Sequence, residues 1–120
     1  MDKISSSQKN ILSLLGDPQV NFRLKKNLIS ASDSNTINKI CEIILNVLNK
    51  NIPIPAENLK HLKPYALSCR KILNKKTSNK QRKHIIIKKG IQKGGFLQYI
   101  IAPLLGLLGE TIANFFKKSE

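Results

Sequence analysis

Apolar residues recur along this chain at intervals of three and four, the spacing that lines one face of an α-helix. Ile4, Gln8, Ile11, Leu12 and Leu15 form the first such series, and Gly16 can end it. Asp17-Pro18 then reads as an N-cap followed by proline at the first helical position. Val20, Leu24 and Leu28 follow at intervals of four, with Arg23, Lys25 and Lys26 beside them, which predicts a second helix to about Ser30. After the polar connection 30–35, Ile37, Ile40, Cys41, Ile44, Val47 and Leu48 make one continuous stripe. Three short helices of this kind can bury one another's stripes, so residues 1–50 are expected to form a small helical bundle.

The run 49–55 (NKNIPIP) breaks the periodicity with two prolines and is expected to be extended. Helix returns over 56–73, interrupted or restarted at Pro64, with Leu59, Leu62, Ala66, Cys69 and Leu73 on its apolar side. Thr77 or Ser78 can cap a further basic helix, 79–89, whose Ile85-Ile86-Ile87 triplet would also suit a strand. Residues 51–95 thus read as a basic helical arm that closes on Gly94-Gly95.

Residues 96–120 are a hydrophobic helix with a basic tail. Phe96 to Phe116, as a helix, would be about 31 Å long, near the ~30 Å of a bilayer's hydrocarbon core. On a helical wheel Gln98, Ala102, Pro103, Gly106, Gly109, Glu110, Ala113 and Asn114 share one side. Ile100, Ile101, Leu104, Leu105, Leu107, Leu108, Ile112 and Phe115 share the other. The small residues Ala102, Gly106, Gly109 and Ala113 would let another helix approach closely, a route to self-association. Three readings stay open: a core helix, an interfacial membrane-disrupting helix, or a self-associating span. In each, Leu97, Ile101, Leu104, Leu105, Leu108, Ile112 and Phe115 carry membrane or helix packing.

Composition narrows the fold and charge narrows the function. Hydrophobic residues make up 41% of the chain but aromatics only 5%, with no Trp, so Leu and Ile must do the packing, which favours an all-α fold. The formal net charge is +14, and no Asp or Glu lies between Asn58 and Gly109. That stretch holds Lys60, Lys63, Arg70, Lys71, Lys75, Lys76, Lys80, Arg82, Lys83, Lys88, Lys89 and Lys93. A field of one sign seeks a polyanion, either nucleic acid or an anionic membrane. Lysine and arginine neutralise phosphates without reading sequence, and no aromatic lies between Tyr65 and Phe96 to stack on bases. These twelve cations are the candidate nucleic-acid-binding residues.

Catalysis has no visible seat. The seven carboxylates are scattered, and none pairs with a His or Cys at a suggestive spacing. Cys41 and Cys69 are too few for a zinc motif or a disulfide framework, and His61 and His84 read as part of the basic surface. No enzyme activity, cofactor or metal is expected. The N-terminus has no signal-peptide pattern, so the default expectation is a cytosolic or membrane-associated protein.

The order of features resembles a known family. Lys75-Lys76-Thr77-Ser78, the basic run 80–83, Gln92-Lys93-Gly94-Gly95-Phe96-Leu97 and Ala102-Pro103-Leu104-Leu105 resemble the precursor of the adenovirus core protein mu (protein X). They are still more similar to the small core proteins of adintoviruses and Polinton (Maverick) elements. The resemblance covers roughly residues 54–116. It implies a virion core protein, present also in the host nucleus, whose basic part condenses DNA and whose tail meets membrane or capsid proteins. It also implies a viral protease site at Gly94, Gly95 and Phe96, although Gln92 stands where the family has an aliphatic residue. The two glycines on their own support a flexible hinge, and lysine in place of the family's arginine offers point charges rather than bidentate forks. A membrane-permeabilising protein aimed at anionic lipid and a soluble helical adaptor are the alternative readings.

Overall fold

Four of the helices begin where a short polar side chain satisfies the first free backbone amides. In the computed structural model, which describes residues 5–52 and 54–107 and side chains to Ile101, Ser5 and Gln8 form a reciprocal capping box at the start of α1 (Ser6–Gly16). Asn21 caps α2 (Phe22–Ala31) by accepting from the Leu24 amide, and Asp33 caps α3 (Ser34–Leu48) by accepting from Thr36. The sequence expectation placed the second cap at Asp17. That residue instead closes α1, and its carboxylate accepts from the Gln19 amide at 2.8 Å, holding a turn around Pro18.

The phase of α2 is displaced from the expected one. Its buried positions are Lys25 and Ile29, whereas Leu24 is 43% exposed. The interval of four survives, but the buried row lies one residue on, which brings a lysine inside. The α3 stripe holds at Ile37, Ile40, Ile44 and Val47 and gains Ile43; Cys41 is half-buried and Leu48 exposed.

A turn with a left-handed residue, Lys50, and the buried Ile52 lead to α4 (Ala56–Leu62). Pro64 sits in a single 3-10 turn, Lys63–Tyr65, and the chain restarts as α5 (Ala66–Leu73). A 3-10 turn winds three residues rather than 3.6, so the two halves do not share one face. Cys69 and Ile72 reach the core, while Leu59 is 47% exposed. Ser78, in a second capping box with Gln81, starts α6 (Asn79–Ile85). The isoleucine triplet is helical: α6 runs into a wide π turn, Ile86–Gly90, closed by Ile91 N–H donating to the Ile86 carbonyl at 3.0 Å.

The last described helix is α7 (Phe96–Leu107). It packs mainly against α1 and α4, and Phe96, Leu97, Ile100 and Ile101 are buried. One core cluster joins Leu12 and Leu15, the α3 stripe, Cys69, Ile72, Ile86 and these four α7 residues. Residues from all three sequence segments therefore share a single apolar interior. The radius of gyration, 13.0 Å, is near the roughly 13 Å of a closed domain of about 100 residues, so the described residues 56–95 are packed on the bundle and do not form an extended arm. The fold is all-α, with no strand among the described residues.

Candidate polyanion-binding surface

The helices of the 56–90 region put their apolar sides into the core and their cations outward. Lys60, Lys63, Arg70, Lys71, Lys75, Lys76, Lys80, Lys88, Lys89 and Lys93 are all exposed. None of these ten side chains makes a hydrogen bond or ion pair with another described residue. The cause lies in the sequence, because residues 58–109 contain no carboxylate. Unpaired exposed ammonium groups give up no internal bond when they turn toward a phosphate. The arrangement offers many weak, interchangeable contacts rather than one shaped recognition pocket.

Two of the twelve expected cations are used internally. The Arg82 Nε donates to the Ile72 carbonyl at 2.8 Å, one terminal nitrogen to the Asn74 carbonyl at 3.2 Å, and the other to Asn79 Oδ1 at 3.3 Å. Its guanidinium thus satisfies the free carbonyls at the end of α5 and ties them to the first residue of α6. The Lys83 ammonium donates to the Ser30 carbonyl at 3.1 Å, across the chain at the end of α2. Asp33, nearby, has its pKa held below the ordinary carboxylate value, mostly by the Thr36 amide and hydroxyl and in small part by the Lys83 charge. Asn79 reaches the Ser34 hydroxyl at 3.0 Å beside this contact. Both cations help to hold the basic helices on the bundle, and both are half-buried.

The glycine pair is a pinned turn and not a free hinge. Gly94 has φ +78°, in the left-handed region, and its carbonyl accepts from the Tyr65 hydroxyl at 3.0 Å. The Gly95 amide donates to the Gln92 carbonyl at 2.7 Å, and a Cβ on Gly95 would lie 2.5 Å from the Gly90 carbonyl oxygen. Phe96, the next residue, is 0% exposed and tilts its ring against Tyr65. The bond after Gly95 thus joins two buried residues in the folded chain. Asn58 Nδ2 also donates to the Tyr99 carbonyl at 3.2 Å, and the His61 and Tyr99 rings stack at 4.3 Å, which fixes α4 on α7. His61 belongs to this helix contact as much as to the basic surface.

The residues expected to meet a membrane divide in two. Leu97 and Ile101 lie in the core. The side chains of Ala102, Leu104, Leu105 and Gly106, and Leu108, Gly109, Ile112, Ala113 and Phe115 entirely, lie outside the described residues. Among the described residues no helix is long and apolar enough to cross a membrane.

Sequence reasoning missed two cavities. One, about 650 Å³, is an apolar groove lined by residues such as Ile44, Val47, Leu48, Leu59 and Leu62 and edged by Lys50, Lys60 and Lys63. The other, about 570 Å³, lies between the start of α2 and the glycine turn and is lined in part by Lys25, Lys93 and Tyr99. Neither was legible from spacing, because each joins residues far apart in sequence. Among the described residues no group of three His, Cys, Asp or Glu side chains could hold a metal ion. Both cysteines are free thiols, and burial raises the pKa of Cys41 and pushes that of Cys69 to about 11. Comparison with protein-family models, curated proteins and solved structures returns no match.

Proposed function

We propose that this chain binds nucleic acid through its phosphates, without reading sequence. The observation that carries the reading is the set of ten exposed, unpaired cations on helices and turns whose apolar residues lie in the core. Side chains that are exposed and bound to nothing else can each turn to a phosphate, which suits a uniform polyanion. Affinity comes from released counterions and so falls steeply with salt. The absence of an aromatic between Tyr65 and Phe96 removes the means of stacking on single-strand bases. In the setting that the sequence resemblance implies, a virus- or transposon-derived core, this activity is genome condensation.

The apolar groove supports a second reading, an anionic lipid surface. Three lysines edge it, so apolar and cationic groups stand together as they do in interfacial proteins. Anisotropy titration separates the two. Labelled duplexes of two unrelated sequences should bind with equal affinity, and vesicles with anionic headgroups should fail to compete at equal phosphate concentration. Preference for vesicles over duplex would reverse the order of the two readings.

A further inference from the structure

Lys25 is the least explained side chain in the interior. It is 4% exposed, and its ammonium donates to no acceptor among the described residues. Asp17 is the carboxylate whose charge reaches it, yet the two form no ion pair. Among the described residues every sealed side-chain nitrogen or oxygen has a hydrogen-bond partner. An ammonium with no partner must therefore keep contact with open space, and the space that Lys25 lines is the 570 Å³ cavity beside the glycine turn. Burial lowers its pKa and Asp17 offsets part of that. A cation taken partly out of water without a partner costs stability unless something returns the lost hydration.

We infer that this cavity is a binding site for a phosphomonoester. Lys25 at its wall and Lys93 at its rim supply two positive charges, and Asn21, Gln92 and Gln98 supply neutral amides around them. The Asn21 oxygen is already engaged with the Leu24 amide, which leaves its NH₂ as a donor. Two ammonium groups and several amides match a group with three terminal oxygens and two negative charges better than they match a single carboxylate. The volume exceeds that of a bare phosphate, and the Phe22 and Tyr99 side chains line the remainder, so the attached group can be a flat ring, as in a nucleotide. Lys93 is shared with the exposed lysine surface, but Lys25 is not, and the case for this site rests on Lys25 and not on the reading given to that surface. The phosphomonoester could be a free nucleotide or the 5′-phosphorylated end of a strand.

The test is calorimetric titration of the full chain with adenosine monophosphate, inorganic phosphate and adenosine, alongside thermal melts in sodium chloride of matched ionic strength. The monophosphate and phosphate should bind and raise the melting temperature beyond the chloride control, and adenosine should not. Lys25→Met should weaken the monophosphate by about tenfold or more, the worth of a charge-assisted hydrogen bond, while its own melting temperature stays equal or rises. Lys93→Gln, at an exposed position, should weaken binding with no change in the melt. If Lys25→Met binds equally well, or if neither anion exceeds chloride, the site does not exist. Oligonucleotides with and without a 5′-phosphate name the source. A gain from the phosphate that Lys25→Met abolishes assigns a strand end, whereas equal affinity with the monophosphate retained assigns a free nucleotide.

Discussion

Phe96→Ala should loosen the whole molecule and not the tail alone. Phe96 opens α7, is wholly buried, and lies where Gly90 and Tyr65 close over it; a Cβ on Gly90 would stand 3.1 Å from its ring. Replacing a buried phenylalanine by alanine costs about 3–5 kcal/mol through the forfeited transfer energy and the cavity left behind. The tilted ring pair with Tyr65 places the cost toward the upper end, since such pairs add ~0.5–1.5 kcal/mol. For a small domain with a urea dependence of roughly 2 kcal/mol per molar, the midpoint should fall by about 2 M. Circular dichroism at 222 nm follows the helices, and tyrosine emission follows Tyr65 and Tyr99 around the α7 contact. Both signals should move together in one earlier transition. Two transitions, with most helicity lost at the wild-type midpoint, would show that residues 96 onward form a separate unit.

Three further outcomes follow from the same geometry. Arg82→Gln should cost about 2–4 kcal/mol by chemical denaturation, because three bonds from a charged donor are removed, whereas Lys80→Gln should stay within ~0.5 kcal/mol. A protease with Gly-Gly specificity should leave the 95–96 bond intact in native buffer and cut it only as urea unfolds the chain, so cleavage in native buffer at the rate of an unfolded peptide would contradict the pinned turn. Asp33 has a depressed pKa in the folded state, so the stability it contributes is present above the unfolded carboxylate value near 3.9 and is lost as pH falls through its lower folded value. Asp33→Asn, which keeps the cap, should flatten that acid limb of a stability–pH profile.

Most of the architecture was legible because helix periodicity and capping chemistry are local. The α3 stripe and the cap at Ser78 are written in residues three or four apart. What failed was phase. Asp17-Pro18 has the composition of a helix start, but its carboxylate is taken by a nearer turn, and α2 begins four residues later with Lys25 turned inward. At Pro64 one 3-10 turn rotates the apolar face, and spacing alone could not show it. The roles of Arg82, Lys83 and Lys25 were invisible for another reason. Each depends on its surroundings in the folded chain, and a lysine that anchors two helices has the same local sequence as one that meets solvent. The glycine pair reads as a hinge in the sequence, whereas in the fold the Gly90 carbonyl packs against Gly95 and the pair makes a tight turn.

The most direct measurement is the salt dependence of duplex binding by the full chain and by the triple variant Lys75→Gln, Lys76→Gln, Lys80→Gln. These three exposed lysines flank the start of α6 without touching the core. If they neutralise phosphates, a plot of log affinity against log salt should be steep for the wild type and shallower by about 2–3 for the variant, at ~0.9 for each phosphate no longer neutralised. The change should be the same on two unrelated duplexes, with both proteins melting at the same temperature. A slope that the substitutions leave unchanged, or affinity indifferent to salt, would contradict phosphate binding by this surface.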